Sequence, residues 1–356
     1  MTNFRFEVRE YKPIWMHFFA PLIAVFFSLF IATWLIVLAG ANPYDSYLSI
    51  FNGAFGSRNA FAETLSRATP LILTGLAAAI AFRAKFWNIG AEGQLYAGAL
   101  AVTFFGTGLI ELPSLLMIPF LFLVGALAGG LLLLPLVLLR TFYRVDEVVT
   151  TLLLNFVVVL MVSYLLEGPW KDPMSLGWPQ GASVIDNGVL PQLIPRTRLH
   201  MGFLISIFTA LSIWILLSRT VLGFQIKAVG FNPSASHHSG LNVLKTIVIV
   251  ALLSGGVAGM AGVTETAGLK GYLTLDLSPG FGYAGIAVAM LAGLHPAGII
   301  LSGIFLASIY VGADAMSRTM NVPSYLADVI VAITVLSVLL SLIFVQFKIK
   351  FTGKNL

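Results

Sequence analysis

The chain has no cysteine among its 356 residues, which excludes disulfides, thiolate nucleophiles and thiol-ligated metals. Charge is also scarce. Asp, Glu, Lys and Arg make up 10% of the residues, against about 25% in soluble domains, while apolar residues reach 58% and mean hydropathy is +0.94. A soluble globular domain is thereby excluded, and the composition is that of an all-α polytopic membrane protein. The net charge is +5, which in this class marks inner loops, not a nucleic-acid partner. No glycine-rich loop ends in Lys-Ser or Lys-Thr, no His-Glu-x-x-His occurs, and no Gly-x-Ser-x-Gly stands with a base. The chain therefore carries no ATP-hydrolysing motif and no catalytic residues.

What the chain has instead is long apolar runs of about 20 residues, the length that spans a bilayer. They fall near residues 16–40, 67–83, 87–109, 113–139, 148–167, 201–218, 244–264, 282–294, 296–316 and 323–346. This gives about ten transmembrane or half-spanning helices in a single bundle over 16–347, with an arm at 1–15 and a tail at 348–356. The run at 16–40 far exceeds a signal peptide's core of about 7–15 residues, so it reads as an uncleaved first span. The eighth run is too short to cross alone. Loops on the side of the N-terminus hold thirteen Lys and Arg, those on the other side seven. Both termini are thus expected inside.

Segment 86–101, Phe-Trp-Asn-Ile-Gly-Ala-Glu-Gly-Gln-Leu-Tyr-Ala-Gly-Ala-Leu-Ala, sets Asn88, Glu92, Gln94 and three glycines inside an apolar run. An ionisable group at that depth is a functional-site hypothesis by default. Glycines there permit tight helix packing or a helix break that frees backbone for a solute. On a helical projection Asn88, Glu92, Leu95 and Ala99 share one side, and Gly90, Gly93, Ala97 and Ala101 the other. Glu92 has two readings: a group that meets solute, or a structural acid bonded to backbone freed at the break.

Glu147, Thr151 and Asn155 lie at i, i+4 and i+8 and so on one helix face. That face either lines the translocation path or is interhelical hydrogen-bond glue. In the inner loop 219–245, Asn232 caps a short helix with Pro233 at its first position and Gly240 closing it. Such a helix on the membrane surface suits contact with a soluble partner. Adjacent His237 and His238 diverge on a helix and lack a third ligand, so no metal site is expected. Ser254–Gly262 is a small-residue packing face. A second glycine-rich interruption at 265–286 precedes the short eighth run, and the two broken segments, 86–101 and 271–293, are of the kind seen in internally repeated transporters. The outer segment 41–66 suits an interfacial helix around Leu48–Phe55, and 168–200, with five prolines, suits an ordered cap that either docks a partner or merely connects.

Phe86–Gln94 closely resembles the signature of permease subunits of bacterial ABC importers in the ribose, simple-sugar and branched-chain amino-acid group. Its Asn-Ile-Gly-Ala-Glu-Gly-Gln form, with Asp146–Asn155 and the Gly168-Pro-Trp and Trp178-Pro-Gln pairs, looks most like the nucleoside-type subgroup. Gly223–Gly240 resembles the family's loop whose short helix contacts the ATPase, although Phe231 stands where many relatives have a small or polar residue. The resemblance runs from about residue 60 to 345. It implies a bacterial cytoplasmic-membrane importer of nucleosides, purine nucleosides first, or alternatively of a simple sugar or branched-chain amino acid; an ion-coupled transporter is the remaining reading. It also implies a second permease subunit, a cytoplasmic ATPase that uses ATP and Mg, and an extracytoplasmic nucleoside-binding protein. On that reading Asn88, Glu92, Gln94, Thr151 and Asn155 lie along the path. Gly223, Ala228, Gly230, Asn232, Ala235 and Gly240 form the ATPase-coupling element, and this chain itself holds no cofactor.

Overall fold

The computed structural model describes residues 3–8 and 14–352. The sequence-derived arm and tail therefore fall partly outside the described residues, Arg9, Lys12 and Lys354 among them. The elements are β1 (Asn3–Val8), α1 (Ile14–Leu38), α2 (Pro43–Phe55), α3 (Arg58–Arg83), α4 (Ala91–Gly106), α5 (Ser114–Tyr143), α6 (Glu147–Glu167), α7 (Gly202–Arg219), α8 (Val221–Phe231), α9 (Pro233–His238), α10 (Val243–Val263), α11 (Phe281–Leu291), α12 (Pro296–Met320), α13 (Ser324–Gln346) and β2 (Phe347–Thr352). Seven helices are long and apolar enough to cross a membrane, or up to eight if the bent α1–α2 pair is one span, among the described residues. The two short runs are α4 and α11, with 16 and 11 residues. The chain is a multi-pass helical membrane protein.

It divides into two compact units, one made of 1–60 and 308–356, the other of 61–307. In the first, α1 lies against α13, where Ser28 Oγ donates to Thr334 Oγ1 at 3.0 Å, and Ala32, Ile36, Met316, Val322, Leu326 and Ile330 form the core. After α1 the chain turns through Gly40 at φ +80° and Asn42 caps α2, with Pro43 at the first helical position. The bend between the two helices is 119°. Tyr44, Leu48, Phe51 and Phe55 stay exposed along one side of α2, the stripe of an interfacial helix. β1 and β2 pair antiparallel, so both ends of the chain meet.

In the second unit α10 runs between α4 and α5. Gly98 of α4, Gly125 and Gly129 of α5, and Gly255, Gly259 and Gly262 of α10 leave no room for a Cβ, because each abuts a backbone or side chain of the facing helix. Close backbone approach supplies the van der Waals contact that holds helices together in lipid. Segment 168–201 is pinned by backbone bonds: Gly181 N–H to Leu273, Val184 to Gly271, Ile185 to Gly106 and Leu190 to Ala267. Met174, Leu176 and Trp178 project from it.

Three boundaries differ from the sequence reading. α3 starts at Arg58, not near 67, so the end of the supposed outer segment belongs to that helix. α4 starts at Ala91, not 87, because the chain from Phe86 to Ile89 is not helical and the Asn88 N–H turns back to the Phe86 carbonyl. Asn88 is therefore not one turn before Glu92 on a helix, and the projection placing them on one face does not hold. Residues Thr264–Lys270 form a π-helical turn that the apolar pattern did not indicate.

Candidate functional site

The turn that joins α3 to α4 is the polar centre of the second unit. α3 ends where Lys85 takes φ +51° and the Phe86 N–H bonds to the Ala81 carbonyl. The Asn88 side chain accepts from the Gly90 N–H at 2.9 Å, a local turn that sets the start of α4. Gly90, the residue before α4, has no side chain to offer, so the first N–H groups of α4 need acceptors from elsewhere. Non-helical backbone at membrane depth is stable only when such groups are met.

The stripe on α6 meets them. Thr151 Oγ1 accepts from the Ile89 N–H at 3.2 Å, and Asn155 Oδ1 accepts from the Gly93 N–H at 2.8 Å. Asn155 Nδ2 donates to the Ile89 carbonyl and to the Tyr283 hydroxyl, both at 3.0 Å. Glu147 reaches the Trp87 N–H and pairs with Arg140 at 3.3 Å. Arg140 in turn donates to the Lys85 carbonyl at 3.1 Å. Asn88 and Gln94 form a reciprocal amide pair, 2.9 Å in each direction. Asn88 Nδ2 also donates to Ser254 Oγ at 2.9 Å, and that hydroxyl donates to the Ala77 carbonyl at 2.7 Å. Asn88 and Gln94 are fully buried, so these amides tie α3, α4 and α10 together.

Glu92 points at the head of α11. Its Oε2 accepts from the Gly282 N–H at 2.7 Å, while Ser278 Oγ accepts from the neighbouring Gly280 and Phe281 N–H groups at 3.2 and 2.9 Å. One turn further along α4, the Tyr96 hydroxyl donates to the Leu275 carbonyl at 2.6 Å and accepts from the Ser278 N–H. Gly282 is in contact with the Ala91–Glu92 backbone with no space for a Cβ. A carboxylate on the first N–H groups of a helix meets both the orphan donors and the positive end of the helix dipole. The two glycine-broken segments thus meet each other at this point.

The α8–α9 end has the form read from sequence. Asn232 Oδ1 accepts from the Ala235 N–H at 3.0 Å, Pro233 opens α9, and Gly240 at φ +82° closes it. Phe224, Ala228, Phe231, Asn232, Ala235, Ser236, Ser239 and Leu241 line an open groove of about 350 Å³. Gly223 lies on the Leu216–Leu217 backbone and Gly230 on the Arg83 carbonyl, both without space for a Cβ. His238 Nδ1 lies 2.8 Å from the Ser234 carbonyl, so that ring is committed to its own helix. Three partners in these networks escaped the sequence reading: Ser254, Tyr283 and Tyr96. Ser254 sat within the small-residue face and Tyr283 within the second glycine-rich stretch, the signals that could have found them.

The family of the branched-chain amino acid transport system / permease component matches residues 60–339. The chain belongs to this permease family. Among relatives, the guanosine ABC transporter permease protein NupP of Bacillus subtilis is 34% identical over 344 residues, covering 95% of this chain and 98% of that one. The glucose ABC transporter permease protein TsgB13 of Haloferax volcanii is 31% identical, covering 98% and 94%. The nucleoside ABC transporter permease protein NupB of Lactococcus lactis is 30% identical, covering 88% of each. The family match covers the whole second unit, so the junction and the α8–α9 element both lie inside it.

Proposed function

We propose that the chain is the transmembrane permease subunit of an ABC importer that carries nucleosides, purine nucleosides first among them, across the bacterial cytoplasmic membrane. The observation that carries the reading is the near full-length match to a guanosine permease, 34% identical over 95% of this chain. The polar groups of the junction support it chemically. Asn88, Gln94, Thr151 and Asn155 are neutral hydrogen-bonding side chains, and the Glu92 carboxylate is held by the Gly282 N–H. A path braced by buried, mutually bonded groups of this kind presents no free charge and suits a neutral solute better than an ion. In this reading Asn88, Gln94, Thr151 and Glu92 shape the path by holding its broken helices. Asn155, with the Tyr283 hydroxyl, stands at its edge. Both chain ends lie in the cytoplasm, segment 168–201 receives an extracytoplasmic nucleoside-binding protein, and a second permease subunit completes the path. A cytoplasmic ATPase takes the groove of Phe231 and Ala235, and ATP with Mg acts there and not in this chain.

A second reading, a sugar as solute, is favoured by the 31% identity to a glucose permease over 98% of this chain. The deciding measurement is ligand binding by the cognate extracytoplasmic protein, followed by ATP-dependent uptake in vesicles. Binding and uptake of guanosine or adenosine, with none of glucose, is the expected result. Tight glucose binding without any nucleoside binding overturns the nucleoside reading, and uptake that persists without the ATPase overturns the importer class.

A further inference from the structure

Two ends of one short helix are held by opposite charges. α11 has 11 residues, about 16 Å at 1.5 Å per residue, about half of a hydrocarbon core of ~30 Å. Its N-terminal Gly282 N–H bonds Glu92, as described. Just beyond its C-terminal end the chain passes through Gly293 and Leu294, both at positive φ, and the Leu294 carbonyl faces back toward α3. Arg83, the last residue of α3, donates to that carbonyl from Nε at 3.2 Å and from an Nη at 2.9 Å. A carboxylate at the head and a guanidinium at the tail complement the helix dipole. The back of α11 lies on α3, where Thr74 Oγ1 donates to the Phe281 carbonyl at 2.9 Å and Gly285 leaves no gap.

What remains open is one stripe. Along α11 Tyr283 is exposed and Ile286 and Met290 are half-buried, at i, i+3 and i+7, while Ala284, Gly285, Ala287, Val288 and Ala289 are buried. The backbone that flanks α11 is non-helical, and such backbone at membrane depth lies against protein or a water-filled cavity and not against lipid. A stripe bordered by such backbone is better placed against protein or a water-filled cavity than against lipid. The drive enters at the other side of Arg83. Gly230 of α8 presses on the Arg83 carbonyl, with no space even for a methyl group. Packed interiors transmit displacement because they have no slack to absorb it.

We propose that α11 is the moving gate of this permease and that Arg83 is its positioning residue: the guanidinium couples α8–α9 to the tail of α11, while Glu92 anchors the head. A stroke on α9 shifts Gly230, Gly230 shifts the end of α3, and Arg83 draws Leu294 with it, turning the Tyr283–Ile286–Met290 stripe. The inference rests on the ATP-coupled reading given above, in which α9 is the element that the ATPase moves.

The absence of cysteine makes the test direct. Ile286→Cys and, as a lipid-side control on α7, Phe208→Cys are made separately. The full complex with its ATPase and second permease is reconstituted, and reaction with a water-soluble thiosulfonate is followed on this chain. Ile286→Cys should react at least about tenfold faster than Phe208→Cys, and its rate should change between the nucleotide-free complex and one trapped with Mg–ATP and vanadate. Loss of the two charge-assisted bonds in Arg83→Met should remove that nucleotide dependence and lower solute imported per ATP hydrolysed by about tenfold. Arg83→Lys, which still reaches one carbonyl, should retain most of both. If Arg83→Met does not assemble, Arg83→Gln, which keeps a neutral donor but no charge, should blunt the same dependence. An Ile286→Cys no more reactive than Phe208→Cys, or a full nucleotide dependence in Arg83→Met or in Arg83→Gln, overturns the inference while the transport reading stands. No nucleotide dependence of Ile286→Cys in the chain that keeps Arg83 overturns the inference alone, whereas solute uptake that persists without the ATPase overturns the transport reading as well.

Discussion

Removing the Glu92 carboxylate leaves the Gly282 N–H at the head of α11 without its acceptor, in a place where water does not readily replace it. Glu92→Ala should cost about 1–3 kcal/mol and be read as a lower melting temperature of the purified complex. Glu92→Gln keeps an acceptor and should recover most of that loss. Because the acid is spent on a helix cap, apparent solute affinity should change little in either variant. A large loss of affinity in Glu92→Gln at unchanged melting temperature would instead make Glu92 a solute contact. A second residue gives a pH dependence. His200 is buried ahead of α7, its Nδ1 accepts the Gly202 N–H at 3.2 Å, and its Nε2 has no partner. Burial pushes the imidazole down to about 4. The unfolded chain then takes up a proton below pH 6.5 that the folded chain refuses until about 4. Stability is full above 6.5 and is lost as pH falls through that window, by roughly 2 kcal/mol at pH 5. His200→Gln should flatten the fall in melting temperature between pH 7 and pH 5, and equal slopes in the two proteins would discount the histidine. At this scale the sequence spoke clearly about Glu147, Thr151 and Asn155, whose spacing alone sets them on one face. It could not name their partner, because the Trp87–Gly93 turn comes about sixty residues earlier and meets them only when α4 and α6 pack.

Helix ends were legible where local chemistry sets them and obscure where tertiary contacts do. α9 follows from Asn232, Pro233 and Gly240 alone, since cap, fixed φ and left-handed close are all local. The start of α4 is not local. An apolar run continues through Phe86 and Trp87, yet the backbone there is not helical, because Thr151 and Asn155 of α6 meet the Ile89 N–H and carbonyl that a helix would otherwise pair. The π-helical turn at Thr264–Lys270 has the same apolar lead-in as an ordinary helix and left no periodic sign. For α9 the functional consequence is testable. Ala235 is exposed in the groove beside Phe224, Ala228 and Phe231. Ala235→Glu adds bulk and charge to an apolar seat, without touching the Asn232 cap that its own N–H completes. The variant should reach the membrane at normal levels while ATP-driven uptake falls by about tenfold or more, the cost of an uncompensated charge at a docked surface. Uptake at the full rate would remove α9 from the coupling path.

For the whole molecule the open quantity is orientation, and two independent facts constrain it. β1 and β2 pair, residue for residue from Asn3↔Thr352 to Val8↔Phe347, so the two ends share a side and the number of crossings is even. With that parity every loop has a fixed side relative to the termini. The thirteen Lys and Arg in the loops read from sequence on the terminal side, against seven on the other, favour that side as the cytoplasmic one in the reading proposed above. On that proposed orientation α8 and α9 fall on the terminal side, where an ATPase can reach them, and the cap at 168–201 falls opposite. A phosphatase that is active only outside the membrane should be silent when fused after Leu356 and active when inserted beside Leu176, which is fully exposed on the cap. The opposite pattern would place α9 outside the cell. No cytoplasmic ATPase could then drive Arg83 or α11, whatever the solute proved to be.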